Sequence, residues 1–286
     1  MNTRTSKVLA LALCAWTLAI APLASAAEDF KGSWTITPST EAGKVQFGLM
    51  HRHNGGSSHH ESDWPQSAFQ GLDLSVRGKR DVNFSIDRDA GRFTCEGYLN
   101  NGDGAGIFRF APDSKYAGAM DALGFTGVDD EKQFAMAVHD VTLDFARAIK
   151  AERLTDMDTD KLIAFGIFDV TPQFIREMRA EGLPATDSDK LVAFRIHGVT
   201  PAMVRDVRRS GLSPTEDQFV AMRIHGVTPE FIDKVEGLGF KNPGLDQLVA
   251  MRIHGVTPEF INDMKSRGLK NLTIDQLVNL RIHGID

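Results

Sequence analysis

Histidine is the side chain best suited to proton or metal chemistry near neutral pH, and eight of this chain's nine histidines fall into two groups. The first group lies in the stretch HRHNGGSSHHESDW at 51–64. His51 and His53 are two apart, so on a strand they share a face. His59 and His60 follow a Gly/Ser link and are joined by Glu61 and Asp63. Four imidazoles and two carboxylates can chelate Zn²⁺, Ni²⁺ or Cu²⁺. Their spacing matches no structural-zinc pattern, so a polar hairpin loop in solvent is the competing reading.

The second group recurs. His197, His225, His254 and His283 are separated by 28, 29 and 29 residues, and Arg195, Arg223, Arg252 and Arg281 each stand two places before them. At a helix C-terminus an imidazole can bond the last carbonyls or favour the negative helix end. Phe168 takes the place of this histidine in one earlier copy, which favours packing over ligand binding as the role of the slot. A 100° wheel puts Arg252 between Leu248 and Val249, inside the apolar arc. A guanidinium there needs a partner. One reading is a salt bridge within the array, to an acid such as Asp233, Asp246 or Asp263. The other is a row of cations on a concave face that receives a carboxylate-bearing or extended ligand.

No enzymatic motif accompanies these groups. His60-Glu61 is followed by Ser-Asp-Trp, not by the remainder of HExxH, and there is no GxSxG, paired CxxC or P-loop. Asp103-Gly-Ala-Gly106 is not followed by GK[ST], and a strand comes next. Cys95 has no histidine partner at a recognisable spacing and reads as a small buried apolar side chain. No catalytic residue and no cofactor is expected.

The elements that carry the second group are legible. LVAFRIHGVTPAM (191–203), FVAMRIHGVTPEF (219–231) and LVAMRIHGVTPEF (248–260) are near-copies, and LVNLRIHGID ends the sequence at 277–286. A fixed period of that size marks a stacked repeat array. In one copy Thr228 is an N-cap and Pro229 the first helical residue. Phe231, Ile232, Val235 and Leu238 form a short apolar stripe. A second helix starts near Gly244, runs through Leu248, Val249, Met251 and Ile253, and stops at left-handed Gly255. Thr215…Gln218 and Thr273…Gln276 are capping boxes. Stepping back by the period gives N-caps at Thr200, Thr171, Thr142 and Asp113, hence about six units and about twelve helices. Such short helices need neighbours to be stable.

Residues 1–26 read as an export signal, with Arg4 and Lys7 before the apolar run Val8–Ile20 and Ala24-Ser-Ala26 as cleavage site. Cleavage removes Cys14 and leaves Cys95 unable to form an internal disulfide. Between 28 and 110, Val45/Phe47/Leu49, Val82/Phe84/Ile86 and Phe108/Phe110 alternate, and Asp89-Ala-Gly91 and Asn100-Asn-Gly102 are hairpin signals. Four to six antiparallel strands are expected there. A net charge of -6 argues against nucleic acid. No later run is apolar enough to cross a bilayer.

The fold expected is α+β: a signal peptide over 1–26, a small antiparallel β domain over 27–111, and an α-solenoid of about six helix-pair repeats over 112–286. The repeated (L/F)VA(F/M)RIHGVTP resembles tandem helical repeats of uncharacterised bacterial exported proteins. It is also similar to repeats attached to membrane metallopeptidases of the β-lactam-sensor, antirepressor type, whose HExxH and multi-pass membrane region are absent here. The resemblance implies an extracytoplasmic interaction or sensing module, periplasmic or secreted. The partner expected is another envelope protein or a second copy. The alternative is a metal-binding protein or metal-dependent hydrolase that uses 51–63.

Overall fold

In the computed structural model, residues 30–53, 56–75 and 77–285 are described. The expected signal peptide, the side chain of His53, and Asp286 lie outside the described residues.

Six strands form one antiparallel sheet: β1 (Phe30–Pro38), β2 (Lys44–His53), β3 (Gly56–Pro65), β4 (Lys79–Arg88), β5 (Gly91–Asn100) and β6 (Asp103–Pro112). Their spatial order is β3-β2-β1-β6-β5-β4. Two-residue turns join β4 to β5 and β5 to β6, where the hairpin signals stood, and Asn101 and Gly102 both take positive φ. Of the stretch expected as a polar loop, 51–53 and 56–64 are instead paired strand. β2 and β3 run in register from Lys44↔Pro65 to His53↔Gly56. Only Trp64 is buried in β3, so its alternation is faint in sequence, and pairing with β2 supplies what propensity does not.

Alternation puts Trp34, Ile36, Phe47, Leu49, Phe84, Ile86, Phe93, Phe108 and Phe110 on one buried face. The sheet curls until β2 and β4 nearly meet there, with the Phe47 and Phe84 rings 6.3 Å apart. A single bridge, Gln70 to Ser85, closes part of that seam. Gly97 and Gly106 make the trough for the Trp34 indole: a Cβ on either would come within 2.7 Å of it. Cys95 is fully buried, and burial pushes its thiol pKa well up, so it stays protonated and inert.

Twelve helices follow among the described residues: α1 (Tyr116–Leu123), α2 (Asp130–Val138), α3 (Leu143–Ala151), α4 (Thr159–Ile167), α5 (Pro172–Ala180), α6 (Ser188–His197), α7 (Pro201–Arg209), α8 (Glu216–His225), α9 (Pro229–Gly237), α10 (Leu245–Ile253), α11 (Pro258–Ser266) and α12 (Ile274–Ile282). The even-numbered helices pack on one another in succession, and α1 packs on α3 and α5 on α7. Thr142, Thr171, Thr200, Thr228 and Thr257 cap the odd helices through their hydroxyls. Asp113 does not cap α1. Its carboxylate accepts from the Lys115 N–H, two residues on, and the helix starts after Lys115.

The sheet and the helices share one core. Phe134 of α2 lies among Phe30, Phe93, Phe108 and Phe110, with ring centroids 5.4–6.0 Å away. Buried Gln133 donates to the carbonyls of Ala90 and Asp113, both at 2.7 Å.

Candidate functional site: the Arg–Ile–His row and the histidines of the joint

The array has a one-way bonding rule. In the even layer, Nε of Arg195 donates to the Phe168 carbonyl, Arg223 to His197, Arg252 to His225 and Arg281 to His254. The odd layer repeats it: Lys150 reaches the carbonyl of Leu123, Arg179 that of Glu152, Arg208 that of Glu181 and Lys265 that of Leu238. Each of these eight cations thus meets an orphan carbonyl at the negative end of a helix one repeat back; α9, with Glu236 at that place, departs from the rule. The guanidinium groups of Arg195, Arg252 and Arg281 also lie over the rings of Phe174, Phe231 and Phe260, with their carbons about 5 Å from the ring centroids.

These positions revise the expected ion pairs. Asp233, Asp246 and Asp263 are not the partners of Arg252. Lying over Phe231 carries its guanidinium out of the apolar arc, and it is exposed, as is that of Arg223. Arg195 also reaches a carboxylate, that of Asp169. The glycines after the histidines are fixed by the same clamp. Gly198 and Gly226 have φ of 71° and 69°, and a Cβ on either would stand 2.9 Å from an arginine Nη2 of the next repeat. Asp169 holds the equivalent left-handed place at φ 54° and answers its arginine by charge instead. In the first copy the sheet supplies the cation: Arg88, at the end of β4, reaches Asp140 at 3.4 Å. Gly166 stands where the next arginine would be, and a Cβ there would be 2.7 Å from Val141.

Arg252→Ala should therefore lower stability by about 1–1.5 kcal/mol, through loss of the carbonyl contact and the ring contact together. A thermal melt at low protein concentration tests this. An unchanged melting temperature would mean that the clamp contributes nothing.

A second rung runs along the opposite ends of the even helices. Lys132 meets Asp160 at 2.7 Å, Lys161 meets Asp189 at 3.2 Å, and Lys190 meets Asp217. Gln218 and Gln247 then donate to Asp246 and Asp275 at 3.3 and 3.2 Å. Asp156, Asp187 and Asp189 form one tight carboxylate group. It is occupied by protein: Lys161 sits on Asp156 and Asp189, the Ser188 N–H and hydroxyl bond Asp156, and Asp187 caps α6.

Sequence reasoning missed the isoleucines between each arginine and histidine. Ile196, Ile224, Ile253 and Ile282 are each 54% exposed, and Ile167 is 46% exposed. Ile253 is placed by the sequence on the second helix, with no face assigned to it. The wheel held the signal: it stands five residues past buried Leu248, about 140° round the helix. A large apolar side chain held in water at the same place in successive copies is not scatter. His197, His225, His254 and His283 stand beside these isoleucines at the helix ends. His283 alone has its ring recorded on a carbonyl of its own helix, that of Asn279 at 2.8 Å.

The first histidine group is split by the pleat. His51 and His60 point to the core face and His59 to the other. His51 is buried against Phe30 and Phe134, with Nδ1 3.0 Å from the Lys31 carbonyl and Nε2 3.9 Å from Glu131. His59 is exposed beside Glu61 at 3.5 Å. His60 meets a histidine from outside the group: its ring packs edge-on to His139, at the end of α2, with centroids 5.1 Å apart. Burial, with His59 second, lowers the pKa of His60. Burial, with His60 second, lowers that of His139 to about 4. Nε2 of His139 is buried with no hydrogen-bond partner among the described residues. His60 and His139 could share a soft metal ion, but among the described residues no third His, Cys, Asp or Glu ligand converges on them.

No helix among the described residues is long and apolar enough to cross a membrane. No protein-family model matches the chain, and neither a curated protein nor a solved structure matches it.

Proposed function

We propose that this chain is a non-enzymatic, extracytoplasmic module for protein interaction or sensing. Its helices are read as an α-solenoid of six helix-pair repeats, and its working surface as the row of Ile167, Ile196, Ile224, Ile253 and Ile282 with the flanking arginines and histidines. Export rests on the signal-like residues 1–26. The single observation that carries the surface is the repeated exposure of isoleucine where a solvated helix end would favour a polar residue. Solenoids offer long periodic faces for such contacts. The partner is another envelope protein or a second copy of the chain.

The test is affinity capture from the native envelope, with the protein and its Ile196/Ile224/Ile253/Ile282→Ser variant as baits. The side chains are exposed, so each substitution should cost no more than about 0.5 kcal/mol. A partner retained by the parent and lost by the folded variant is expected. Identical captures from both baits would refute the surface.

A further inference from the structure

We infer that the Arg–Ile–His row seats an acidic polypeptide segment in polyproline-II conformation, laid lengthwise across successive repeats. This rests on the reading of the array as an interaction surface and names what lies on it.

Charge gives the sign. Arg223 and Arg252 are exposed, each has its Nε on a carbonyl, and neither has a carboxylate within ion-pair distance among the described residues. The lysines of the opposite rung, Lys132, Lys161 and Lys190, all have one. The opposite rung is thus neutralised and the row is not, in a chain of net charge -6. The remaining guanidinium N–H groups can still receive a carboxylate.

Period gives the conformation. Packed helices lie ~8–10 Å apart, so that is the expected step from one rung to the next. A polyproline-II chain has three residues per turn at ~3.1 Å each, and it returns a side chain to the same face every ~9.3 Å. A β-strand does so every ~6.6 Å, out of step with the row. Carboxylates at every third residue would meet Arg223 and Arg252 in turn, and the residues between would cover one isoleucine per repeat. Proline suits those places: it is apolar and already holds the conformation, so little entropy is lost on binding.

The same features disfavour other occupants. Two copies of the chain joined along this row would set arginine against arginine. A polyphosphate or acidic glycan would meet the cations but leave the isoleucines in water.

The test is fluorescence anisotropy of the purified protein with a labelled peptide of about six Glu-Pro-Pro units, long enough to span the row at ~9.3 Å per unit. Two controls are a Lys-Pro-Pro peptide and a peptide of the same Glu and Pro content with the glutamates clustered at one end. Binding at about 10–100 µM is expected for the periodic acidic peptide, weakened about tenfold by half-molar salt. The Ile196/Ile224/Ile253/Ile282→Ser variant, still folded at the assay temperature, should bind it about tenfold less well. Equal binding of periodic and clustered peptides, or binding that ignores the isoleucines, would overturn the inference. If the peptide fails while envelope capture still depends on the isoleucines, the occupant is wrong and the surface stands. If both fail, both readings fall.

Discussion

Phe134→Ala should lower stability by about 3–5 kcal/mol, the usual range for emptying a buried phenylalanine site. The place of the ring explains why the high end is expected. It stacks on Phe30 and Phe108, meets Phe93 and Phe110 edge-on, and touches the His51 imidazole. Those side chains come from β1, β2, β5 and β6, so none can follow the missing ring without opening the sheet. Gln133, next to it, remains bonded to Ala90 and Asp113 and holds α2 in place over the void. Repeat arrays can unfold in stages, so a melting temperature registers the loss without saying where it falls. Hydrogen exchange resolves it by region. Amides of β5, β6 and α2 should exchange about a hundredfold faster or more, and those of α10 and α12 far less so. Uniform acceleration along the chain, or none, would mean that Phe134 is not the pin between sheet and helices.

Acid should weaken the same joint through His139, and His139→Phe should remove that weakness. The sign follows from linkage. The folded pKa, about 4, lies below the ordinary 6.5, so the unfolded chain takes up the proton first as pH falls. The histidine's contribution is complete above about pH 6.5 and is lost as pH falls towards about 4. At ~1.4 kcal/mol per pKa unit the drop would exceed 3 kcal/mol, and partial exposure of the ring reduces it to about 2 kcal/mol. The groups facing His139 add to the effect: His60 is itself held neutral by burial, and Arg88 on neighbouring Asp140 is already a cation. Phenylalanine occupies the matching place at 168, so the variant keeps the shape of the slot. Denaturant midpoints measured across that pH window should fall less steeply for His139→Phe than for the parent. Parallel curves would place the acid sensitivity elsewhere.

Local signals were legible in the sequence because their physics is local. Thr228 and Pro229 announce a helix start, Gly255 a stop, and Asn101-Gly102 a turn, each from its own backbone preference. What the sequence concealed depends on distant partners. β3 carries almost no apolar alternation, and only its register with β2 makes it a strand. His60 reads as part of a four-histidine cluster, yet the pleat turns it from His59 towards His139, far along the chain. The arginine row reads in sequence as structural or binding, but its carbonyl partners belong to the preceding copy and carry no side-chain signature. Isoleucine is read as core by habit, so the exposed row is visible only once helix phase is counted.

The arginine clamps of the even helices lean backwards by one copy, and their targets are main-chain oxygens that any residue supplies. A copy can therefore be excised or duplicated in the middle of the array, and each new neighbour finds its acceptor waiting. Such a surface can lengthen or shorten over evolutionary time without redesign of its joints, and an engineer who splices 29 residues in or out inherits the same freedom.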